Sequence, residues 1–513
     1  MRARFGHVLF LLFPLYISPL HATTISSYQN GNWNSVSTWQ GGVIPGAGDT
    51  VLILTGDTVT LNDSRSCSSL WVQAGGKLNL NHTLGGYTAA LNDGHVDWNN
   101  GTFNGTGLIE NNGLLRIQGG YNHLTAGDIL NTATGVIYHT GNNLDYDGGG
   151  AQTLTNHGIF NANPTGGIYI YMTIVNYATF QNSTAGTIQL YSDLTNHPGA
   201  EVDIGMATLI IPSSCDITQN GTFNVTNLNL NGGTHTLATS DGITGGGVLS
   251  IAGNTTIHSP DGWEPAFITT NLGSTLSGNT SLAIPAGSTW NWTTGTFSIT
   301  GDITNSGILN ITGAVNHPIS CDIINTVPGV INHTGSHLDY NGGGAQTLTN
   351  YGVFNGNPTT AIYLYMTVMN HATFQNSTAG TIQFYSDFTN HPGATVNIGM
   401  ATLVVNSTCD ITQNGGFLVQ NDMDLDGGTH TLAAADGITG NGALSIEGPT
   451  TINSVNGWEP AFATASLTST LSGNTTLTIP SGSTWNWANG TFAISGDITN
   501  SGILNISGGN NHL

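Results

Sequence analysis

Ile168, Ile170 and Met172 alternate with Tyr169 and Tyr171, and one short interval later Ile188 and Leu190 alternate with Gln189 and Tyr191. Successive side chains of a strand point to opposite faces, so a period of two marks strands with one apolar and one polar side. Short runs of this kind, bounded by Gly, Asn or Asp, recur along the chain from Val51 onward, while apolar spacing of helical period is almost absent. The pattern predicts an all-β protein of many short strands.

The strands come back in register. Asn111, Asn131, Asn156, Asn176, Asn196 and Asn220 follow one another at intervals of 20, 25, 20, 20 and 24 residues, and Asn305, Asn325, Asn350, Asn370, Asn390 and Asn414 repeat those intervals. Both sets belong to a long duplication. His139-Thr140-Gly141 recurs at His333-Thr334-Gly335, 194 residues on, and the Gly-Trp-Glu-Pro-Ala-Phe run at Gly262 recurs at Gly457, 195 residues on. A period of 20 to 25 residues rich in β-branched residues, Gly and Asn fits one coil of a right-handed parallel β-helix; helical repeats need about 33 residues or more and strong helix formers. One coil cannot bury its own apolar side, whereas stacked coils share an interior and pair each backbone edge with the next rung. Asn and Gly serve the corners, where left-handed backbone is needed, and stacked Asn side chains can hydrogen-bond along a ladder. About nine coils per block at ~4.8 Å a rung give a rod on the order of 100 Å long.

The resulting order is a signal peptide at 1–22, an amino-terminal segment with the first coils at 23–95, block one at 96–289, block two at 290–484 and the opening of a third block at 485–513. Arg2 and Arg4, the apolar run from Val8 to Ile17 and the small-residue site ending at Ala22 carry the signal-peptide reading. The run is too short, and too broken by Pro14, to span a bilayer. A natural β-helix avoids ending on an open coil edge, so the sequence is expected to be the amino-terminal part of a longer protein.

Charge narrows the partners. The chain carries a formal charge of −23, and beyond the signal segment only Arg65, Lys77 and Arg116 stand against 28 acids. Nucleic acids and anionic lipids draw their affinity from Lys and Arg, which excludes both as partners. A charged fraction of 6% would suit a disordered chain, but the regular placement of aliphatic residues argues for order. Export would permit disulfides among Cys67, Cys215, Cys321 and Cys409; Cys215 and Cys409 occupy equivalent places in the two blocks, many rungs apart, so buried free thiols are expected.

Trp33 to Leu61 reads WNSVSTWQGGVIPGAGDTVLILTGDTVTL, with Val51 and Ile53, then Val59 and Leu61, marking two short strands about a turn at Gly56-Asp57. This segment resembles the start of a G8 domain and the entry segment of large bacterial surface β-helix proteins. The repeats that follow are similar to filamentous, haemagglutinin-like adhesins in coil length and Asn-Gly character. The resemblance implies a secreted or cell-surface bacterial protein, with polysaccharide handling in some members, and lends no catalytic residue. From the residues themselves, Trp33 and Trp39 are expected to plug the apolar end of the first coil.

Candidate chemistry is sparse. Polysaccharide lyases and hydrolases share this architecture, and that resemblance implies Arg or Lys for the lyases and clustered Asp with an Arg-x-Lys pair for the galacturonan hydrolases. No Lys or Arg follows Arg116, and no two Asp are consecutive. The best carboxylates for a glycosidase are Glu264 and Glu459 in the repeated loop, with Asp241 and Asp436 upstream. Duplication favours a structural loop over an active site, and Asp261 becomes Asn456 in the second copy. Asp422, Asp424 and Asp426 open like a calcium loop, but Asn227, Asn229 and Asn231 replace them in block one and strand alternation alone explains the spacing. Histidines such as His157, His197, His235 and His430 follow Asn or Thr and read as turn residues. Trp290 and Trp292, matched by Trp485 and Trp487, read as interior because Val96 replaces the first of them in block one.

The surface of most interest is aromatic. With Ile168 and Ile170 inward, Tyr169 and Tyr171 point outward and Tyr191 lies on the next rung; Tyr363, Tyr365 and Tyr385 repeat the set. Such rings suit sugar contacts, or serve only to staple one rung to the next. The leading expectation is a non-catalytic extracellular scaffold or adhesin that binds polysaccharide or another cell-surface ligand at repeated faces. The competing one is a carbohydrate-active β-helix, or the carrier rod of a catalytic part beyond residue 513.

Overall fold

The computed structural model describes residues 22–146, 152–339, 345–434 and 437–508. Residues 1–21, where the signal peptide is expected, Asp436 and the last five residues lie outside them. The described chain is a β-solenoid of about 21 turns. The stack begins with Thr24–Ser26 on Thr50–Ile53 and Ser69–Val72, and every strand-to-strand pairing along it is parallel. Two 3-10 turns, Val36–Thr38 and Gln40–Gly42, are the only helical elements described, and no helix is long and apolar enough to cross a membrane.

Each coil has three strand positions. The first builds a 14-stranded sheet from Thr24–Ser26 to Phe297–Ile299, and the other two join in a 27-stranded sheet. Gly56, at φ +87°, turns the corner between Thr50–Ile53 and Thr58–Leu61, which do not pair with each other but with the next coil, Ser69–Val72 and Lys77–Leu80. Trp98-x-x-Gly101 makes another corner, repeated at Trp292 and Gly295 and at Trp487 and Gly490. Each of these glycines has φ between +83° and +91° and accepts a hydrogen bond from its tryptophan indole. A Cβ on Gly101 would stand 2.5 Å from the backbone of His82 one coil below, so only glycine lets the coils close there.

Aliphatic and aromatic ladders fill the interior, including Phe160 on Phe180 at 4.9 Å and Phe354 on Phe374 at 4.7 Å. Trp290, Trp292 and Trp485 are buried as expected. Trp33 and Trp39 are buried edge to face at 5.1 Å in the first coil, and the Trp39 indole donates to the Trp33 carbonyl.

A polar column runs through this interior. Asn92, Asn111, Asn131, Asn156, Asn176 and Asn196 close successive strands of the first sheet, and each carboxamide donates to the next one up at 2.7 to 2.8 Å. All but Asn92 are fully buried. Asn305, Asn325, Asn350, Asn370 and Asn390 form the second copy. The marker asparagines are thus interior rather than corner residues, because the neighbouring rung supplies the partner a buried amide requires. Asn220 and Asn414 do not continue the columns: Gln219 and Gln413 take the register positions above Asn196 and Asn390. His235 and His430 also depart from the turn reading and lie fully buried in the strands Gly233–Leu237 and Gly428–Leu432.

The Gly-Trp-Glu-Pro loops have an architectural role. In the coil position between Thr255–His258 and Thr269–Leu272, Trp263 replaces a strand and bridges up to Leu282, starting the new 11-stranded sheet that carries the second asparagine column. The second loop repeats this with Trp458 and Leu477, below the strand that ends at Asn500. The asparagine column therefore moves one face round the rod at each block.

All four cysteines are free and buried. Burial pushes the Cys67, Cys321 and Cys409 thiols up to about 12, which suppresses the thiolate. Alkylation of the folded protein at pH 8 is expected to label none of them within the time that labels all four in 6 M guanidinium chloride.

Candidate functional site

The tyrosines stand where the alternation puts them. Ile168, Ile170 and Met172 are buried, Tyr191 is exposed and Tyr169 and Tyr171 are half-buried. Tyr171 and Tyr191 stack at 4.4 Å with rings 6° from parallel, and Tyr365 and Tyr385 at 4.5 Å and 11°. Tyr169 and Tyr363 lean against the upper ring at 6.3 and 6.2 Å, and His337 lies below Tyr363 at 4.5 Å. Close packing pushes the Tyr171 hydroxyl up, through desolvation first and then Tyr191 and Asp145. Rings stacked rung on rung cover each other's faces, so solvent meets their edges and hydroxyls. The arrangement offers hydrogen bonds to a sugar more than a flat platform.

A second ring column escaped the sequence reading. At the corner after the asparagine strands, His157, Tyr177 and His197 stack at 4.5 and 4.0 Å, and Tyr351, His371 and His391 at 4.6 and 3.8 Å. His157 and His197 are indeed corner residues; the available signal was their position one residue after the asparagine of each coil.

Glu264 and Glu459 are exposed, while the adjacent Trp263, Phe267, Trp458 and Phe462 are buried. Among the described residues no side-chain hydrogen bond or ion pair positions either carboxylate. Asp422, Asp424 and Asp426 point outward from a strand whose Met423 and Leu425 are buried, and Asp422 accepts the Ala443 N–H at 2.9 Å. Burial first, then Glu447, holds Asp424 and Asp426 above the usual carboxylate range. Among the described residues no group of three or more His, Cys, Asp or Glu is arranged to hold a metal ion.

One charged cluster does form. Lys77, His95, Asp97 and Arg116 meet on the outer side of three consecutive strands. Asp97 is 6% exposed, and its two oxygens are taken by Lys77 Nζ and His95 Nε2, each at 2.6 Å. Burial outweighs Asp97 and holds the His95 imidazole below its usual value, with Lys77 and Arg116 acting in the same direction. The neutral ring therefore donates from Nε2 to the carboxylate. The sequence hid this cluster because its members lie one coil apart.

The search of curated proteins finds no match to the chain. Residues 38–104, which build the first coils and include Lys77, His95 and Asp97, match the G8 domain family.

Proposed function

We propose that the chain is a non-catalytic extracellular scaffold of the adhesin kind, binding glycans weakly at several points along its length. One observation carries the reading: each block bears two columns of stacked, partly exposed rings on its outer face, and both columns recur in the other block. Repetition serves avidity, where several weak contacts on one rod add up, and gives a single active site nothing. The shift of one face per block turns equivalent columns to different sides, which suits bridging separate polymer chains. The signal-like segment and the G8 match support export to the cell surface or beyond.

Affinity electrophoresis against neutral polysaccharides tests this. The double variant Tyr171→Phe with Tyr365→Phe keeps the stacks and removes hydroxyls, so retention is expected to weaken about three- to tenfold, the worth of a hydrogen bond or two, with melting unchanged. Unchanged retention, or none for the parent, reduces the columns to rung staples. Release of reducing ends or unsaturated sugars from a polysaccharide panel would replace the scaffold with a carbohydrate-active rod.

A further inference from the structure

The ring columns are duplicated, but the cluster around Asp97 is not. The register positions that hold His95, Asp97 and Arg116 in block one hold Thr289, Asn291 and Asn310 in block two. There the outer face is a neutral amide ladder, with Asn291 donating to Asn271, Asn310 to Asn291 and Asn332 to Asn310, each at 2.9 Å. A surface that repeats elsewhere has been made cationic at one place only.

The charge count there leaves a cation over. Of the three fixed cations beyond the signal segment, Arg65 is paired with Asp63. Lys77 and Arg116 both border Asp97, whose two oxygens are already committed to Lys77 and His95. Arg116 is exposed and makes no ion pair among the described residues. Above it in the same outward row come Tyr138, Asn161 and Gln181 before the next carboxylate, Asp203. That is four rungs, or roughly 19 Å, beyond the reach of a screened charge at physiological salt. Tyr138, 40% exposed, lies beside Arg116 on the next rung.

We propose that Arg116, with Lys77 and His95 held in place by Asp97 and with Tyr138 alongside, binds the anionic group of an acidic saccharide, a uronate carboxylate or a sulfate ester. The guanidinium fork matches either anion with paired hydrogen bonds. Lys77 adds positive charge, the Tyr138 ring a surface for the sugar body, and the half-buried outer amide Asn79 a partner for its hydroxyls. The rest of the described surface repels such a polymer, so this site fixes where on the rod it docks. The proposal stands apart from the tyrosine columns.

Binding of the mature chain to polygalacturonate, dextran sulfate and neutral dextran, measured by biolayer interferometry at 50 and 300 mM NaCl, tests it. At least one acidic polymer is expected to bind more tightly than dextran and to weaken at high salt, and which one binds tells carboxylate from sulfate. Arg116→Ala should lose about tenfold or more of that affinity, the worth of a charge-assisted hydrogen bond, and Arg116→Lys only part of it. Arg116 is exposed, so unchanged melting will confirm folded variants. Equal binding of acidic and neutral polymers, or an Arg116→Ala variant that binds like the parent, overturns the proposal. Failure of the tyrosine reading is separate, because it shows in dextran binding and in the Tyr171→Phe, Tyr365→Phe variant.

Discussion

Asn156→Ala is expected to destabilise the first block by about 3–5 kcal/mol, far more than an average polar substitution. The Asn156 amide donates to Asn176 Oδ1 at 2.8 Å and to the Thr179 carbonyl at 2.9 Å, and its oxygen accepts from Asn131 Nδ2 at 2.7 Å. Asn131, Asn156 and Asn176 are fully buried, so alanine leaves their amide groups unpaired, each costing about 1–3 kcal/mol. Asn92 begins the column and its oxygen accepts nothing from below; removing it orphans only Asn111 Oδ1 and the Leu114 carbonyl, and Asn92→Ala should cost less. Asn332→Ala, in the outer amide ladder, should cost under about 1 kcal/mol because water replaces the lost amide. Urea titration followed by circular dichroism gives the ranking. Hydrogen exchange should place the Asn156 effect in the adjoining rungs, since a solenoid transmits instability mainly to neighbours. Equal costs for Asn156→Ala and Asn332→Ala would show that the buried column contributes nothing special.

The same column shows where sequence and structure part. Aliphatic alternation reveals the coil because burial recurs at every second residue, as Ile168, Ile170 and Met172 demonstrate. Asparagine is polar, and one coil by itself has nowhere to satisfy a buried amide, so a residue-by-residue reading sends Asn111 or Asn176 to a corner. Only the stack supplies the partner, and partners in a stack are set by register. His235 and His430 are misread for the same reason: each finds a backbone donor one coil below, Ile217 and Ile411, at 3.1 Å. Asn220 and Asn414 sit one residue off the column, because the coil below them ends on Asn196 and Asn390 and the register admits Gln219 and Gln413 instead. The cluster of Lys77, His95, Asp97 and Arg116 is spread over 40 residues and becomes a contact only when coils of 18 or 19 residues are laid on one another. The tyrosine pairs were legible because their spacing equals one coil and their strands alternate cleanly. The turn of one face per block was not, since a repeat of 194 or 195 residues looks like simple duplication until the pairing shows that it is no whole number of turns.

Acid is expected to loosen the rod well above the pH at which most carboxylates titrate. Burial drives His139 and His333 down to about 3 and His235 and His430 down to about 4. The geometry agrees. His235 Nδ1 accepts the Ile217 N–H while Nε2 faces the Gly232 carbonyl, and His430 is placed likewise between Ile411 and Gly427, so a proton on Nδ1 would break a backbone contact. Among the described residues His139 and His333 have no hydrogen-bond partner at either ring nitrogen. An unfolded chain takes protons on these rings near pH 6.5, whereas the folded chain refuses them until pH 3 to 4. The unfolded state therefore binds more protons between those limits. Stability from these rings is complete above pH 6.5 and drains away as the pH falls towards 4, by about 2 kcal/mol per histidine at pH 5. Asp424 and Asp426, held above their usual range, act in the opposite sense: their contribution is present at low pH and lost as pH rises above the ordinary carboxylate value. Both carboxylates are partly exposed and lie in block two. Thermal melting at pH 7.5, 6.0 and 5.0 should thus show falling midpoints and, in a repeat array, broadening transitions. His139→Phe with His333→Phe keeps an aromatic ring beside Phe160 and Phe354 and removes two of the four protonation sites. It should raise the midpoint at pH 7.5, where phenylalanine replaces an unpaired buried imidazole, and flatten the dependence on pH. A midpoint that stays constant from pH 7.5 to 5.0, or a phenylalanine pair as acid-sensitive as the parent, would mean that these histidines are not what ties the stack to neutral pH.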